Sequence, residues 1–411
     1  MWYRRIPVRK IVKRTALAFV ATQAITLAGL VVADWRRKRH RGVAEFPKVP
    51  PRSISAGGSE VTVYTYGHDL YDDMLGAIRQ ARSRVFFETF IWKGDEVGSA
   101  FKTALIEAAD RGVEVFVVYD VFANLVVPRP FFHFPANVHV LRWPLLGGGW
   151  RFWHPRYSGR DHRKLMVVDD DVAFVGGYNI GSLYATDWRD THARLTGDVV
   201  AEMQNAFIDF WNMAGNRNKE LGDPRRRVWS PNIRVHRNIP RQFVYPIRGI
   251  YLDAIDRASQ RVYLTHAYLI PDEDMVRTLI RAVNRGVDVR IIVPEQSNHI
   301  LADWLSRGFY GTLLRGGVRL FLYQRAMVHA KTATIDGEWS TIGTANIDRL
   351  SLSGNYEINI EVYDTDVARQ MEDIFAIDAG NSREMHLQEW SRRNLMVKVS
   401  ETVLSPLRPL L

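Results

Sequence analysis

The 411 residues include no cysteine, which excludes a disulfide framework and leaves the redox compartment open. No His, Asp and Glu cluster has metal-ligand spacing such as H-E-x-x-H, so neither a catalytic metal nor another cofactor is expected. Net charge is scarce over most of the chain. Residues 1–41 carry eleven Lys and Arg against Asp34 alone, which accounts for the whole formal charge of +10. The rest is close to neutral, and that speaks against a basic groove for nucleic acid.

Between the basic clusters Arg4 to Arg14 and Arg36 to Arg41 lies Thr15 to Ala33, 19 positions without charge until Asp34. A helix needs about that length to cross a bilayer. Residues 1–45 therefore read as a membrane anchor, in which the basic residues of 1–41 attract anionic headgroups at about 1 kcal/mol each near the surface. The alternatives are an interfacial helix, permitted by Thr22, Gln23 and Thr26, and a cleaved signal peptide, disfavoured by the long basic lead and the basic block that follows. Both flanks are basic, so orientation stays undecided.

What the chain does contain is one small signature written twice. DHRKLMVVDD holds His162, Lys164 and Asp169; VHAKTATIDG holds His329, Lys331 and Asp336. Gly176-Gly177-Tyr178-Asn179 and Gly343-Thr344-Ala345-Asn346 follow, each Asn 17 residues after its His, and Asp190 and Glu357 each lie 28 residues after theirs. A single H-x-K triplet is usually a solvated pair. Two copies that agree at five positions are a poor match to chance.

The repetition extends upstream. Leu75, Ile78 and Ala81 recur at helical spacing before the apolar strand Val85-Phe86-Phe87, as Leu252, Ile255 and Ala258 do before Val262-Tyr263-Leu264. A second helix then closes at Gly112 or Gly286, and a further strand follows. The expected fold class is α/β: two similar lobes related by a pseudo-twofold axis, each a mostly parallel sheet flanked by helices. Their bounds are set at 46–225 and 226–411, with the junction in the charged, Gly- and Pro-containing stretch Asn216 to Arg234. From Ser382 onward the chain reads as a helix with polar faces that stops at Ser405-Pro406. The first half carries seven extra residues before its signature. That region, Phe122 to Tyr157, contains Phe131, Phe132, Phe134, Trp143, Trp150, Phe152 and Trp153, and either borders a lipid entrance or packs over its lobe.

Phosphodiester exchange needs a nucleophile, an acid for the leaving alkoxide and positive charge on the non-bridging oxygens. Two His, two Lys and two Asn meet that list without a metal. One neutral imidazole attacks phosphorus while the other handles the proton, so both must reach one phosphate. A carboxylate usually fixes the tautomer of such a His. By their offsets, Asp190 is expected to orient His162 and Glu357 to orient His329. Lys164 and Lys331 supply charge, Asn179 and Asn346 bind phosphate, and Asp169 and Asp336 complete the motif in a turn-forming or lysine-pairing role. Among other histidines, His192 and His266 lie near the site by sequence, His266 as a candidate for lining the cleft.

The duplicated H-x-K-x4-D followed by Gly-(Gly/Thr)-x-Asn resembles the phospholipase D superfamily from about Val61 to the C-terminus. Within it, Arg160-Asp161-His162-Arg163-Lys164, Phe174 to Ile180, Trp188-Arg189-Asp190, Asn355 to Asn359 and Ser405-Pro406 are most similar to bacterial cardiolipin synthases. The resemblance implies phosphatidyl transfer through a phospho-histidine, with His162 as nucleophile and His329 as general acid/base. It implies phospholipid substrates, with phosphatidylglycerol as donor and acceptor, and a place at the bacterial cell membrane. A hydrolytic phospholipase D is the alternative, and a nuclease of the same superfamily or a non-enzymatic scaffold is further off. Donor, acceptor, membrane side and oligomeric state stay open.

Overall fold

The computed structural model describes residues 44–145, 154–215, 220–222 and 232–393, with scattered positions between 13 and 32 and between 398 and 406. The first sheet is built from β1 (Arg52–Ala56), β2 (Ser59–Tyr66), β3 (Arg84–Thr89), β4 (Glu114–Asp120), β5 (Val138–Trp143), β6 (Leu165–Val168), β7 (Val172–Gly176) and β8 (Trp188–Gly197), in the order β1-β2-β8-β7-β6-β3-β4-β5. The second uses β9 (Ile233–Asn238), β10 (Arg261–His266), β12 (Asp288–Pro294), β13 (Arg319–Tyr323), β15 (Lys331–Ile335), β16 (Trp339–Gly343), β18 (Glu357–Tyr363) and β19 (Ser382–Met385), in the order β19-β13-β12-β10-β15-β16-β18-β9. Read from β2 and from β9, the two sheets repeat the same sequence of strands. β11 (Leu269–Ile270) pairs with β17 (Ile347–Asp348), and β14 (Met327–Val328) crosses between lobes to pair with β8.

Both sheets are mixed, which corrects the expectation of mostly parallel ones. Apart from the two-residue strands in β14/β8 and β11/β17, the parallel pairs among the described residues are β3/β4, β4/β5, β10/β12 and β12/β13. The signature strands instead form hairpins: β6 returns as β7 and β15 returns as β16, both antiparallel. The turns begin at Asp169 and Asp336, whose φ values are 52° and 55°. Two strands joined by so short a turn have no room for a parallel crossover. The C-terminal expectation is corrected as well. Ser382–Met385 is a strand on the open edge of β13, and the helix begins only at Leu387. Pairing with an exposed edge has overridden the local preference.

The central strands are apolar on both faces because both are covered. In β3, Phe86 points into one core and Val85 and Phe87 into another; in β4, Phe116 and Val118 oppose Val115 and Val117 in the same way. The core that holds Phe86 continues into the second lobe through Ile342, Ile358, Ile360 and Met371. The two sheets therefore share one interior, which includes the helices Val199–Ala214 and Thr365–Gly380. The helices Gly67–Gln80 and Glu96–Asp110 cover the outside of the first lobe, and Pro246–Arg257, Glu273–Asn284 and Ile300–Arg315 that of the second. Glu96–Asp110 and Glu273–Asn284 start at matching caps, where Asp95 accepts from Gly98 N at 3.0 Å and Asp272 from Met275 N at 2.9 Å.

Most of the junction at 216–231, the tip of the first-half insertion at 146–153 and most of the expected span Thr15 to Ala33 lie outside the described residues. Among the described residues no helix is long and apolar enough to cross a membrane. Of the N-terminal segment, Gln23 donates to the Val403 carbonyl at 3.3 Å, and Leu30 packs on the cluster of Ile270, Trp304, Leu305 and Leu404.

Candidate functional site

The topology brings both signatures to one edge. β6 runs antiparallel to β3, so the chain just before Leu165 lies where the parallel strands β3 and β4 end. β7 ends and β8 starts at this edge too. The same holds for β15, β16 and β18 in the second lobe. His162 and Lys164, His329 and Lys331, Asn179 and Asn346, and Asp190 and Glu357 thus all sit at strand ends on this edge.

The carboxylates pair crosswise, which corrects the expected assignment. Nδ1 of His162 faces Glu357, at 2.9 Å from Oε1 and 3.0 Å from Oε2, and Nδ1 of His329 lies 2.6 Å from Oδ2 of Asp190. The backbone shows why. His162 N donates to the Tyr356 carbonyl at 3.1 Å, and His329 N donates to the Arg189 carbonyl at 2.7 Å. Each His loop is stitched to the other lobe's strand, one residue before that strand's carboxylate. Offset along the chain reported only that each half has one of each.

Each Lys side chain folds back to the carbonyl of its own His: Lys164 Nζ donates to His162 O at 2.6 Å, and Lys331 Nζ donates to His329 O. Lys331 Nζ also lies 2.8 Å from His329 Nδ1 and 4.0 Å from Asp190 Oδ2. Nδ1 cannot both donate to Asp190 and accept from Lys331. The shorter contact and the negative partner favour the tautomer with hydrogen on Nδ1, which leaves Nε2 with the free lone pair.

Burial dominates the electrostatics. It pushes His329 down to about 3, aided by Lys331, and holds His162 well below its ordinary value, aided by Lys164 and Lys331. Burial also lowers Lys164 to about 7 and Lys331 to about 8. The two carboxyls diverge. Burial raises Glu357 to about 8, whereas for Asp190 burial is outweighed by Lys331 and His329, which hold it below its ordinary value. Glu357 also takes a hydrogen bond from Thr344 Oγ1 at 2.5 Å. At the matching position Gly177 leaves room for Asp190: a Cβ there would sit 2.0 Å from Oδ1.

Of the remaining expected residues, Asn179 accepts from Ile91 N through Oδ1 at 3.1 Å, which leaves its amide as donor. Asn346 is buried, with no partner for Oδ1. Asp169 and Asp336 stand at the far ends of β6 and β15. Asp169 accepts from the backbone N of Arg82, Ser83 and Arg84, and Asp336 from that of Ser259, Gln260 and Arg261. They tie turns, and their hydrogen bonds go to backbone and Ser hydroxyls rather than to Lys164 or Lys331. His192 and His266 are fully enclosed, without hydrogen bonds at either ring nitrogen, so His266 does not line the cleft. Among the described residues no group could hold a metal ion.

Sequence reasoning missed the walls of the site. Phe90 meets the His162 ring edge-on at 4.7 Å, while Trp188 and Tyr268 flank His329 at 4.9 and 6.3 Å. Phe90 follows β3 directly and Tyr268 lies two residues past β10, a place that any α/β sheet makes suspect. A buried network beside His162 was missed too: Asp120 is ion-paired with Arg160, whose Nε lies 3.0 Å from Oδ2, and accepts from Asp161 N at 3.2 Å, and Glu88 holds Arg163 through both oxygens.

The cardiolipin synthase, phospholipase D-like domain family matches residues 74–211 and 251–378. The chain belongs to that family. It is 30% identical over 394 residues to a cardiolipin synthase of Listeria welshimeri, covering 92% of this chain and 81% of the relative. It is 31% identical over 379 residues to the major cardiolipin synthase of Bacillus subtilis, covering 86% and 76%. The fold is similar to the crystal structure of phosphatidylserine synthase from Haemophilus influenzae, with a TM-score of 0.67 at 15% identity over 88% of this chain and 94% of that one. As a member of the phospholipase D superfamily, the protein is an enzyme of the phosphatidyltransferase kind.

Proposed function

We propose that this enzyme makes cardiolipin by transferring a phosphatidyl group from one phosphatidylglycerol to another through a covalent phospho-histidine. The observation that carries the proposal is the crossed pair of His–carboxylate contacts: both imidazoles are oriented through Nδ1 toward one shared edge. His162 Nε2 attacks phosphorus and the bond to the leaving glycerol oxygen breaks, with His329 giving that oxygen its proton. The hydroxyl of the second phosphatidylglycerol then gives its proton to His329 and attacks the phosphorus, breaking the bond to His162. The products are cardiolipin and glycerol. Lys164, Lys331 and the Asn179 and Asn346 amides neutralise the non-bridging oxygens.

The uneven carboxyls support this division of labour. Glu357 is held toward its neutral form, which suits a His that must attack uncharged; Asp190 is held ionised, which suits a His that must carry a positive charge in passing. His162 is also the more open, its side chain 13% exposed against 6% for His329. A bound phosphate raises the affinity of His329 and both lysines for protons, offsetting the burial that lowers them in the empty site.

In this reading residues 1–45 anchor the enzyme to the bacterial cell membrane, through Thr15 to Ala33 and the basic residues of 1–41, and 46–225 and 226–411 are the two lobes. The exposed Leu17, Val31 and Val32 support it. Incubation of the purified full chain with phosphatidylglycerol tests the reaction. Cardiolipin with equimolar glycerol is the expected outcome; phosphatidic acid as the sole product would make the enzyme a hydrolase and overturn it.

A further inference from the structure

Phe131, Phe132, Phe134 and Trp143 of the first-half insertion turn inward, and a different set is left outside. Phe131, Phe132 and Phe134 pack on Trp92 at 5.7 to 6.2 Å, and Trp143 packs on Phe210 and Tyr356. The turn after β4 has the opposite polarity to an ordinary surface loop. Its polar residues are interior: Asp120 accepts from Phe122 N at 2.8 Å, and Asn124 accepts from Trp92 N and donates to the Phe90 and Asp120 carbonyls. Three of its apolar residues are outside, with Phe122 53%, Leu125 60% and Val126 81% exposed. A loop held by so many buried hydrogen bonds displays this tip rather than merely failing to bury it.

We propose that the Asp120–Pro128 loop docks on an anionic phospholipid surface: Phe122, Leu125 and Val126 enter the apolar layer, and Arg129, His133 and Arg142 in the adjoining groove take a headgroup. The inference rests on the phospholipid reading above and adds where the membrane lies. The groove, of about 480 Å³, is lined by the apolar Val121, Leu125 and Val127 and by those three nitrogenous side chains. That is the complement of an acyl chain joined to a phosphate.

Two placements favour a lipid surface over a protein partner. The loop leaves the sheet edge that carries the histidines and is tied to them, since Phe122 lies under Arg160 at 5.5 Å and Phe90, held by Asn124, touches His162. Leu145, Leu183 and Leu350, exposed in other connections, leave the same edge. The N-terminal segment reaches it from the other lobe, for Leu30 packs in the cluster that includes Tyr268, the ring beside His329. Apolar surface from both lobes thus rims the site.

The absence of cysteine makes the test clean. In the full chain, Val126→Cys and, at the opposite end of β18, Tyr363→Cys are each labelled with an environment-sensitive dye and mixed with vesicles of phosphatidylglycerol or phosphatidylcholine. The expected result is several-fold protection from an aqueous quencher at position 126 on phosphatidylglycerol vesicles and little at 363. Equal quenching at both positions overturns the inference. Val126→Asp should cut turnover on vesicles several-fold and leave turnover of a short-chain monomeric lipid unchanged; equal loss on both substrates overturns it. Arg129→Ala with Arg142→Ala should abolish the preference for phosphatidylglycerol vesicles, and a retained preference removes the headgroup site. Dye protection needs no turnover, so a protein that docks but makes no cardiolipin would refute the proposed reaction alone.

Discussion

His162 and His329 occupy matching places in the two halves, yet the groups behind them are not interchangeable. Glu357 is longer than Asp190, is hydrogen-bonded by Thr344 where Gly177 stands in the other half, and is held neutral to about pH 8. Asp190→Asn is expected to slow both formation and consumption of the phospho-His162 adduct, by on the order of 10² to 10⁴-fold, as when an orienting carboxylate is lost elsewhere, and Glu357→Gln to slow formation of the adduct alone. Rapid-quench measurement of adduct formation and of its consumption by the acceptor distinguishes them; the reverse pattern would mean that the orienting pairs follow the sequence offsets after all. The lysines give the pH dependence its sign. Lys164 loses its charge as pH rises through about 7 and Lys331 through about 8, so kcat/KM, which reports the free enzyme, should fall over that window. A profile that stays flat to pH 9 would show that the two charges are not required.

At the scale of the element, Asp169 and Asp336 belong to the hairpins rather than to the site. Each accepts three backbone N–H groups while its own backbone is left-handed, a conformation that Asp and Asn tolerate better than most residues. Removing the acceptor in Asp169→Ala should cost about 1 to 2 kcal/mol, comparable with loss of a helix cap, and lower the melting temperature while the folded protein stays active. Unchanged melting with lost activity would return the residue to the chemistry. The helix and strand alternation was legible in the sequence because Leu75, Ile78 and Ala81 have a period that only a helix satisfies. The hairpins were not: LMVV and TATI read equally well as parallel or antiparallel strands, and only the turn geometry decides.

For the whole molecule, the duplication was legible from spacing alone, and the joint use of both signatures could be argued from the chemistry. The crossing of the carboxylates could not, since it depends on β14 pairing with β8 and on Asp161 bridging to Tyr356, contacts between residues far apart in the chain. The same union has an energetic anchor. Arg189 of β8 is held by Asp378 of the second lobe at 3.0 and 2.6 Å, both side chains nearly inaccessible. Asp378→Ala should cost about 3 to 5 kcal/mol by leaving a buried charge unpaired, and Arg189→Met added to it should recover part of that loss. Chemical denaturation of both variants checks this; no recovery in the double variant would assign the loss to packing alone.

The most direct test of two imidazoles serving one phosphorus is to quench the full chain during turnover of phosphatidylglycerol labelled in its phosphate and locate the adduct by mass spectrometry. Label is expected on His162, still formed but slowly in His329→Ala and absent in His162→Ala. Label on His329, or turnover with no label on either residue, would contradict this mechanism.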